Sequence, residues 1–596
     1  MNESGSTAAG DETSEAGSEA SKLDARRAFG AFLAYTILSL LLWRSLVPHL
    51  ATHARYGGLF DPSAFIWWLK WTPYALTHGM NPLHSSYLDA PDGVSAMWNS
   101  SVLALGVLFA PVTALFGPVV SYNVACILGP PLSAWTAWLW LRRHAHDAPA
   151  AVGGLVFGFS PFVIAHSNGG HLNFTWLFLL PVILMLVEDL LWRAERPLWP
   201  QAPLLGLVIT VQLFIGSEAL FICSLGCAAA VLVIGALDVR AARERLRVLV
   251  PAAAVAVAVA VVLCAPALIE QFHSSRAIHE PVFQVGRFGG RPPMLVSAPS
   301  TLAFHSGHSP SGNLAVFENG LYIGWPLIVL LGVVVAFLFR RRGVVIAAAA
   351  VVIAAAFQMY GSRWHFARIS VPAPFRALQN HVHLLRDILP GRFAILMWLA
   401  IAWLVAVGLD AALSRVRAMN VHPAWAAVPV VVVVACLLPL LPNHVQTREL
   451  AITPRLFTTS LRNTVPRGAT VMVAPLATSA NAAAEIWQVR AGMRFRQLGG
   501  YMQHAVGPRG EPSLHPATPS LAKLFAIDSK TRGPYKVETS PALLDGARAE
   551  LRAANTSMFI VGHSIGEAIL LARAELLLGR PPDQRTGGVT IWRLSD

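Results

Sequence analysis

Apolar residues fall along this chain in long unbroken runs, not in the alternating or three-and-four spacing of water-facing elements. The first run is roughly Ala28 to Val47. Later ones cover 118–141, 150–165, 172–192, 203–217, 219–237, 248–269, 320–339, 344–360, 393–413 and 424–441. A helix of ~20 apolar residues crosses a hydrocarbon core of ~30 Å, so these runs predict about eleven transmembrane helices. Two further stretches sit in the long segment after the first run. In Phe65 to Leu76, Phe65, Trp68, Leu69, Thr72, Ala75 and Leu76 share one helical face, with Trp67, Trp68 and Trp71 placed as interfacial anchors. The second is Ser101 to Phe116. Both are expected to lie along the outer membrane surface.

The polar residues between the runs set the expected orientation. Arg26 and Arg27 precede the first run, which holds the N-terminus in the cytoplasm. Alternation then makes inner loops of Arg142–Arg143, Arg193–Arg196, Arg240–Arg247, Arg340–Arg342 and Arg415–Arg417, each short and basic as the positive-inside rule requires. A crossing at 101–116 would invert all of them, which is why that run is kept on the surface. Residues 1–24, rich in Ser, Gly, Ala and Glu, are expected to be a disordered cytoplasmic tail. Residues 25–442 form the membrane domain, and 443–596 a small extracytoplasmic α/β domain. In that last part Thr470–Ala474, Ser557–Val561 and Val589–Leu594 read as strands, and Glu567–Leu578 as a helix.

Composition agrees with a membrane protein. Of the 596 residues 55% are hydrophobic and only 13% charged, about half the roughly 25% of a soluble protein. Mean hydropathy is +0.54. The net charge of +13 comes mostly from Arg at the ends of apolar runs, so it reports topology and not nucleic acid. The last domain adds 18 basic against 11 acidic residues, a balance that suits anionic headgroups or lipid phosphates. All five cysteines lie in apolar runs; Cys223 and Cys227 are one turn apart, a small-residue packing pair. No disulfide framework or zinc spacing is present.

Ionisable groups are nearly absent from the middle of the runs, where a proton-coupled transporter would carry them. Of the 20 histidines all but His144, His146 and His422 fall on the outer side. Polar chemistry therefore gathers at the outer interface, where a lipid-carried headgroup would meet a water-borne acceptor. Asp61 opens the string Asp61-Pro62-Ser63-Ala64-Phe65-Ile66-Trp67-Trp68-Leu69-Lys70-Trp71, which continues to Gly79-Met80-Asn81-Pro82. His166-Ser167-Asn168-Gly169-Gly170-His171, Ser217-Glu218 and Pro390-Gly391-Arg392-Phe393 stand at other outer ends.

With an inner N-terminus, an acidic residue in the first outer loop and a closing outer domain, these motifs resemble the GT-C superfamily of integral-membrane glycosyltransferases over roughly residues 25–445. That resemblance implies a polyprenyl-phosphate sugar as donor and a glycan, lipid or protein as acceptor, with Asp61 in the catalytic position. Many members carry a second acid beside the first; here Pro62 takes that place, and Asp89 or Asp92 of the same loop stand nearest.

The residues support the same chemistry by themselves. A carboxylate in a partly desolvated outer cavity can take the proton of an acceptor hydroxyl. Asp is equally a favoured helix N-cap, so Asp61 reads either as base or as cap. Arg392, at the outer start of a run, can pair with phosphate oxygens or snorkel as an anchor. His166 and His171 flank a Gly-Gly turn, Glu218 stands at a tight outer turn, and His381, His383 and Arg386 lie in the loop before Arg392. All are substrate-contact candidates, each with a plain packing or solvated-loop alternative.

No cofactor is called for. The close pairs His49/His53, His305/His308 and His381/His383 lack the companion ligands that would specify a metal. Gly562-His563-Ser564-Ile565-Gly566 matches a nucleophile elbow between strand and helix, but no histidine follows to complete a triad. The competing functions are a transporter or flippase of lipid-linked glycans and a non-catalytic envelope scaffold. A deep outer cavity around Asp61 is the feature that would separate the enzyme from the scaffold.

Overall fold

The computed structural model describes residues 6–192, 198–282, 289–305, 318, 320–358, 363–366, 369–372, 374–382, 385–419, 421–459, 464–528 and 530–594. The apolar runs fall mainly in helices. Among the described residues seven helices are long and apolar enough to cross a bilayer, and Trp325–Leu338 and Arg342–Gln358 are shorter apolar ones. The helix Ser6–Leu42 also takes in most of the stretch expected to be a tail.

Leu198–Leu237 is helical throughout, yet it contains both of the runs expected there. Leu205 and Leu232, which a straight helix would hold ~40 Å apart, line one apolar cavity together with Leu249. Gly206 lies against Ala256 and Val259. The segment therefore folds back on itself near Gly216–Glu218, where the sequence places a turn between two runs.

Helices differ in what surrounds them. Pro118–Leu141, Asp147–Gly169 and Pro390–Ala418 are central, each 72% buried over its apolar window, whereas Pro200–Leu237 and Arg243–His273 are only 17% buried. Leu232, Val262, Phe337 and Val352 are more than two-thirds exposed. So much contiguous apolar surface is stable against lipid and not against water. At the far end from Asp61 the charges pair among themselves, Arg142 with Asp147 at 2.6 Å and Arg143 with Asp189 at 2.8 Å. The fold defines a multi-pass membrane protein with its polar groups at the two ends of an apolar bundle.

Residues after Pro442 form a separate α/β layer. Its sheet has five strands in the order 584–586, 589–593, 558–562, 470–474, 496–497, with Met558–Gly562 parallel to Thr470–Ala474 and antiparallel to Val589–Arg593. Period-two alternation gives the sheet two apolar faces: Met472, Phe559, Val561 and Trp592 pack on one side, Val471, Val473, Ile560 and Ile591 on the other. Gly562 is needed for packing, since a Cβ there would meet the Trp487 ring at 2.5 Å. Ser564 Oγ has no hydrogen-bond partner and His563 instead pairs with Glu567 at 3.0 Å, so the apparent elbow is a strand-to-helix turn.

This layer covers the segment between the first two spans. The helix Ala483–Arg490 packs on the helix Asp61–Thr77, and Trp67 Nε1 donates to Gln488 Oε1 at 2.7 Å. Trp67, Trp68 and Trp71 are fully buried. The expected interfacial anchors are thus a domain interface: a large ring with one polar edge suits either place. Leu103–Leu108 and Ala110–Phe116 are short surface helices, with Leu115 and Phe116 exposed.

Candidate functional site

Two local devices bring the site together. Phe60, at φ +58°, turns the chain into the helix that Asp61 begins, and Pro62 fits its first turn because its missing N–H would be unpaired there anyway. The helix has no side-chain cap, so Asp61 is not spent on capping. On the other side, Pro161 breaks the Asp147–Gly169 span after Ser160, and the helix ends at Gly170 with φ +75°. A Cβ on Gly170 would meet Tyr122 Oη at 2.3 Å. That tight turn sets His166 and His171 ring to ring.

A continuous polar chain results. Asp61 Oδ2 accepts from His171 Nε2 at 2.7 Å, and Oδ1 accepts from Tyr501 Oη at 2.8 Å. His171 Nδ1 meets His166 Nδ1 at 2.8 Å, one of the two carrying the shared proton. His166 Nε2 faces Glu318 Oε2 at 3.9 Å, and Glu318 Oε1 lies 3.4 Å from Arg392 Nη2. Arg392 also binds Glu218 and stacks over the Phe174 ring at 4.3 Å. Glu218 Oε1 accepts in turn from the Leu389 backbone N–H at 3.0 Å.

Burial would raise the pKa of Asp61, but hydrogen bonds from His171 and Tyr501 and the charge of Arg392 hold it below the usual carboxylate range. Its side chain remains 39% accessible while its partner His171 is 7% accessible. Asp61 is therefore an ionised carboxylate at the open end of an otherwise closed chain.

The structure brings together Asp61, His166, His171, Glu218 and Arg392 from the sequence-derived set. Arg392 differs from expectation. It is buried between Glu218 and Glu318, because the short turn Pro390–Phe393 tucks it into the bundle instead of leaving it at the bilayer edge. It is neither a snorkelling anchor nor an unpaired cation. His381 is exposed and Arg386 half-buried, and neither bonds to the chain; His383 lies outside the described residues. Asp89 and Asp92 do not join Asp61: Asp89 is buried beside His504, 3.5 Å away.

Three participants were missed. Glu318 gave no signal in a long polar loop, and Tyr501 lies 440 positions from Asp61. Arg55 looked like an ordinary basic residue after a span. Its Nε donates to Asn168 O at 2.6 Å and its Nη1 to Gln446 O at 2.8 Å, and its guanidinium stacks 4.0 Å over Tyr56. Gly170, beside His171, sits between Pro62 and Arg55, which places Arg55 next to the Asp61 cluster. Its hydrogen-bond partners are all neutral, and among the described residues no carboxylate forms an ion pair with it.

Among the described residues one group, His166, His171 and Glu318, brings metal-ligand atoms within 4.8 Å of one another. Both His171 nitrogens are committed, to Asp61 and to His166. Two donor atoms remain, fewer than the three or four protein ligands of a zinc site. The arrangement does not fit a zinc site. His49 and His53 stack at 4.3 Å with no third ligand, and His308 lies outside the described residues.

No protein-family model matches the chain, and no curated protein matches it. Solved structures do. The oligosaccharyltransferase of Archaeoglobus fulgidus in its apo form aligns over 89% of this chain and 69% of its own, at 11% identity and TM-score 0.49. The mycobacterial arabinofuranosyltransferase AftD aligns over 94% of this chain and 41% of its own, at 15% identity and TM-score 0.47. ArnT from Cupriavidus metallidurans, bound to undecaprenyl phosphate, aligns over 94% and 97%, at 11% identity and TM-score 0.42.

Proposed function

We propose that this protein is a membrane glycosyltransferase of the GT-C type, moving a sugar from a polyprenyl-phosphate carrier to a glycan, lipid or protein acceptor at the outer face. The observation that carries the reading is the state of Asp61: ionised, fixed by two donors, and still reachable. An acceptor hydroxyl placed against it gives up its proton as its oxygen bonds to the sugar's anomeric carbon. The bond from that carbon to the phosphate oxygen breaks, and the electron pair leaves with the lipid phosphate. General-base assistance of this kind is worth 10²–10⁴-fold in rate.

The departing phosphate needs a cation, and Arg55 supplies it. Its guanidinium is pre-oriented by main-chain carbonyls, with N–H groups left over for bidentate phosphate binding. Arg392, already shared by two carboxylates, acts at one remove by keeping Asp61 ionised. His166, fully buried, holds this frame together with His171 and Glu218, which line its edge toward the substrates. The same reading has the N-terminus cytoplasmic and the C-terminal domain outside.

The test is to incubate purified protein with a panel of radiolabelled polyprenyl-phosphate sugars and candidate acceptors. Wild-type protein is expected to transfer from at least one donor. Asp61→Asn keeps size and hydrogen-bond geometry but cannot take a proton, so its turnover falls by roughly 10²–10⁴ with acceptor KM little changed. Near-normal turnover in a folded Asp61→Asn protein would remove Asp61 as base.

A further inference from the structure

Asp61 belongs to the membrane domain, and one of its two hydrogen bonds comes from the other domain altogether. Tyr501 Oη donates to Oδ1 at 2.8 Å across 440 residues. His171 Nε2–H serves Oδ2 at 2.7 Å. Each carboxylate oxygen has two lone-pair directions, so one per oxygen stays open for an acceptor proton. With His171 alone the carboxylate could swing, because rotation about an sp³–sp² bond is broadly allowed. Two donors on different oxygens fix its plane.

Tyr501 is itself held from several sides. It follows Gly499-Gly500, where Gly499 adopts φ +79°. A Cβ on Gly500 would meet Leu88 at 3.2 Å and Asp89 Oδ2 at 3.3 Å. The Tyr501 backbone N–H donates to the buried Glu485, and the Asp89 N–H donates to Gly499 O at 3.2 Å. Two residues on, Gln503 exchanges both backbone hydrogen bonds with the Asn99 amide, each at 2.8 Å. The loop 499–503 is thus wedged between the first outer loop and the helix Ala483–Arg490, with the phenol directed down onto Asp61.

We propose that Tyr501 is a positioning residue for the Asp61 base: its hydroxyl fixes the carboxylate plane and favours the ionised form, so that docking of the C-terminal domain completes the site. The inference rests on the reading of Asp61 as base. The titratable or charged groups around Asp61 are His171, Tyr501, Arg392, Tyr122 and, beside Gly170, Arg55. Of these, His171 and Tyr501 donate a hydrogen bond to it. Loss of the Tyr501 donor therefore leaves the ionised form less supported and its proton affinity higher.

The test uses full-length protein in lipid nanodiscs. pH-difference infrared spectroscopy on wild type, with Asp61→Asn as the blank, isolates the Asp61 carboxyl band without need of substrate. In Tyr501→Phe the midpoint of that band is expected to rise by about one pH unit. Where transfer is measurable, kcat should fall by about 3–10-fold with acceptor KM within about twofold. Gly500→Ala is the second variant. Its added methyl meets Leu88 and Asp89, so it displaces Tyr501 with the hydroxyl intact and should move the midpoint the same way. An unchanged midpoint in folded Tyr501→Phe, or in Gly500→Ala if the first does not fold, overturns the proposal. The two readings fail separately. An active Asp61→Asn protein would sink the base while leaving a shifted midpoint standing, and an inactive one with an unmoved Tyr501→Phe midpoint would sink the positioning role alone.

Discussion

Two guanidiniums stand near Asp61, and they differ in what already surrounds them. Arg392 touches Glu218 and Glu318, so this buried triad is net negative and would oppose a second anion. Removing its cation leaves two buried carboxylates facing one another, a change that costs about 3–5 kcal/mol in buried pairs. Arg392→Ala is therefore expected to lower the melting temperature sharply, and a thermal melt in detergent checks it. Arg55 is held by two main-chain carbonyls and the Tyr56 ring. Arg55→Gln should leave the fold intact and raise the donor KM by roughly 10- to 150-fold, since a charge-assisted bond is worth ~1.5–3 kcal/mol; initial rates against donor concentration decide it. Asp61, His166, His171, Glu218 and Arg392 were legible because each stands at an outer end of a run in a short polar motif. Arg55 was not, because the sequence shows a cation without showing its counter-charges. Tyr501 was not, because nothing local marks a residue whose partner is 440 positions away.

At the scale of elements, the contact that organises the outer face is the helix Ala483–Arg490 against the helix Asp61–Thr77. Glu485 is fully buried in it, and burial pushes its pKa up to about 7. A carboxyl raised in the folded state favours folding when protonated. The contact is therefore strongest below the unfolded value of 4.5, weakens as pH rises to about 7, and then levels off. Glu485→Gln removes that dependence. At pH 8 it should stabilise the protein by up to about 3 kcal/mol and at pH 4 by almost nothing, read from melting curves at the two pH values. Asp89, in the same interface, is pushed well above the carboxylate range by its burial and then by Glu485 nearby. The elements themselves were largely readable. Run length gave the helices, and Glu567–Leu578 was read with its true ends. The role of Trp67, Trp68 and Trp71 was not, because a lipid headgroup layer and a covering domain ask for the same amphipathic rings.

For the whole molecule, the arrangement of two polar ends on an apolar bundle calls for a definite orientation. The proposed orientation, with Arg at each inner loop, puts residues near His515 outside and those near Arg341 inside. A cysteine introduced at His515 should react with a membrane-impermeant thiol reagent in intact cells, and one at Arg341 should react only after permeabilisation. The reverse pattern would overturn the orientation and move the proposed chemistry to the other face.

The bond between Asp61 and Tyr501 also has a meaning in time. A ribosome adds about 5–20 residues per second, so the 440 residues between them separate the two by roughly 20–90 seconds of synthesis. Throughout that interval the first outer loop is already translated, while the phenol that completes its carboxylate does not yet exist. On the reading proposed above, a half-made chain in the membrane carries a base without its clamp. On that reading, the site reaches its full rate only in a chain whose C-terminal domain has been made and seated.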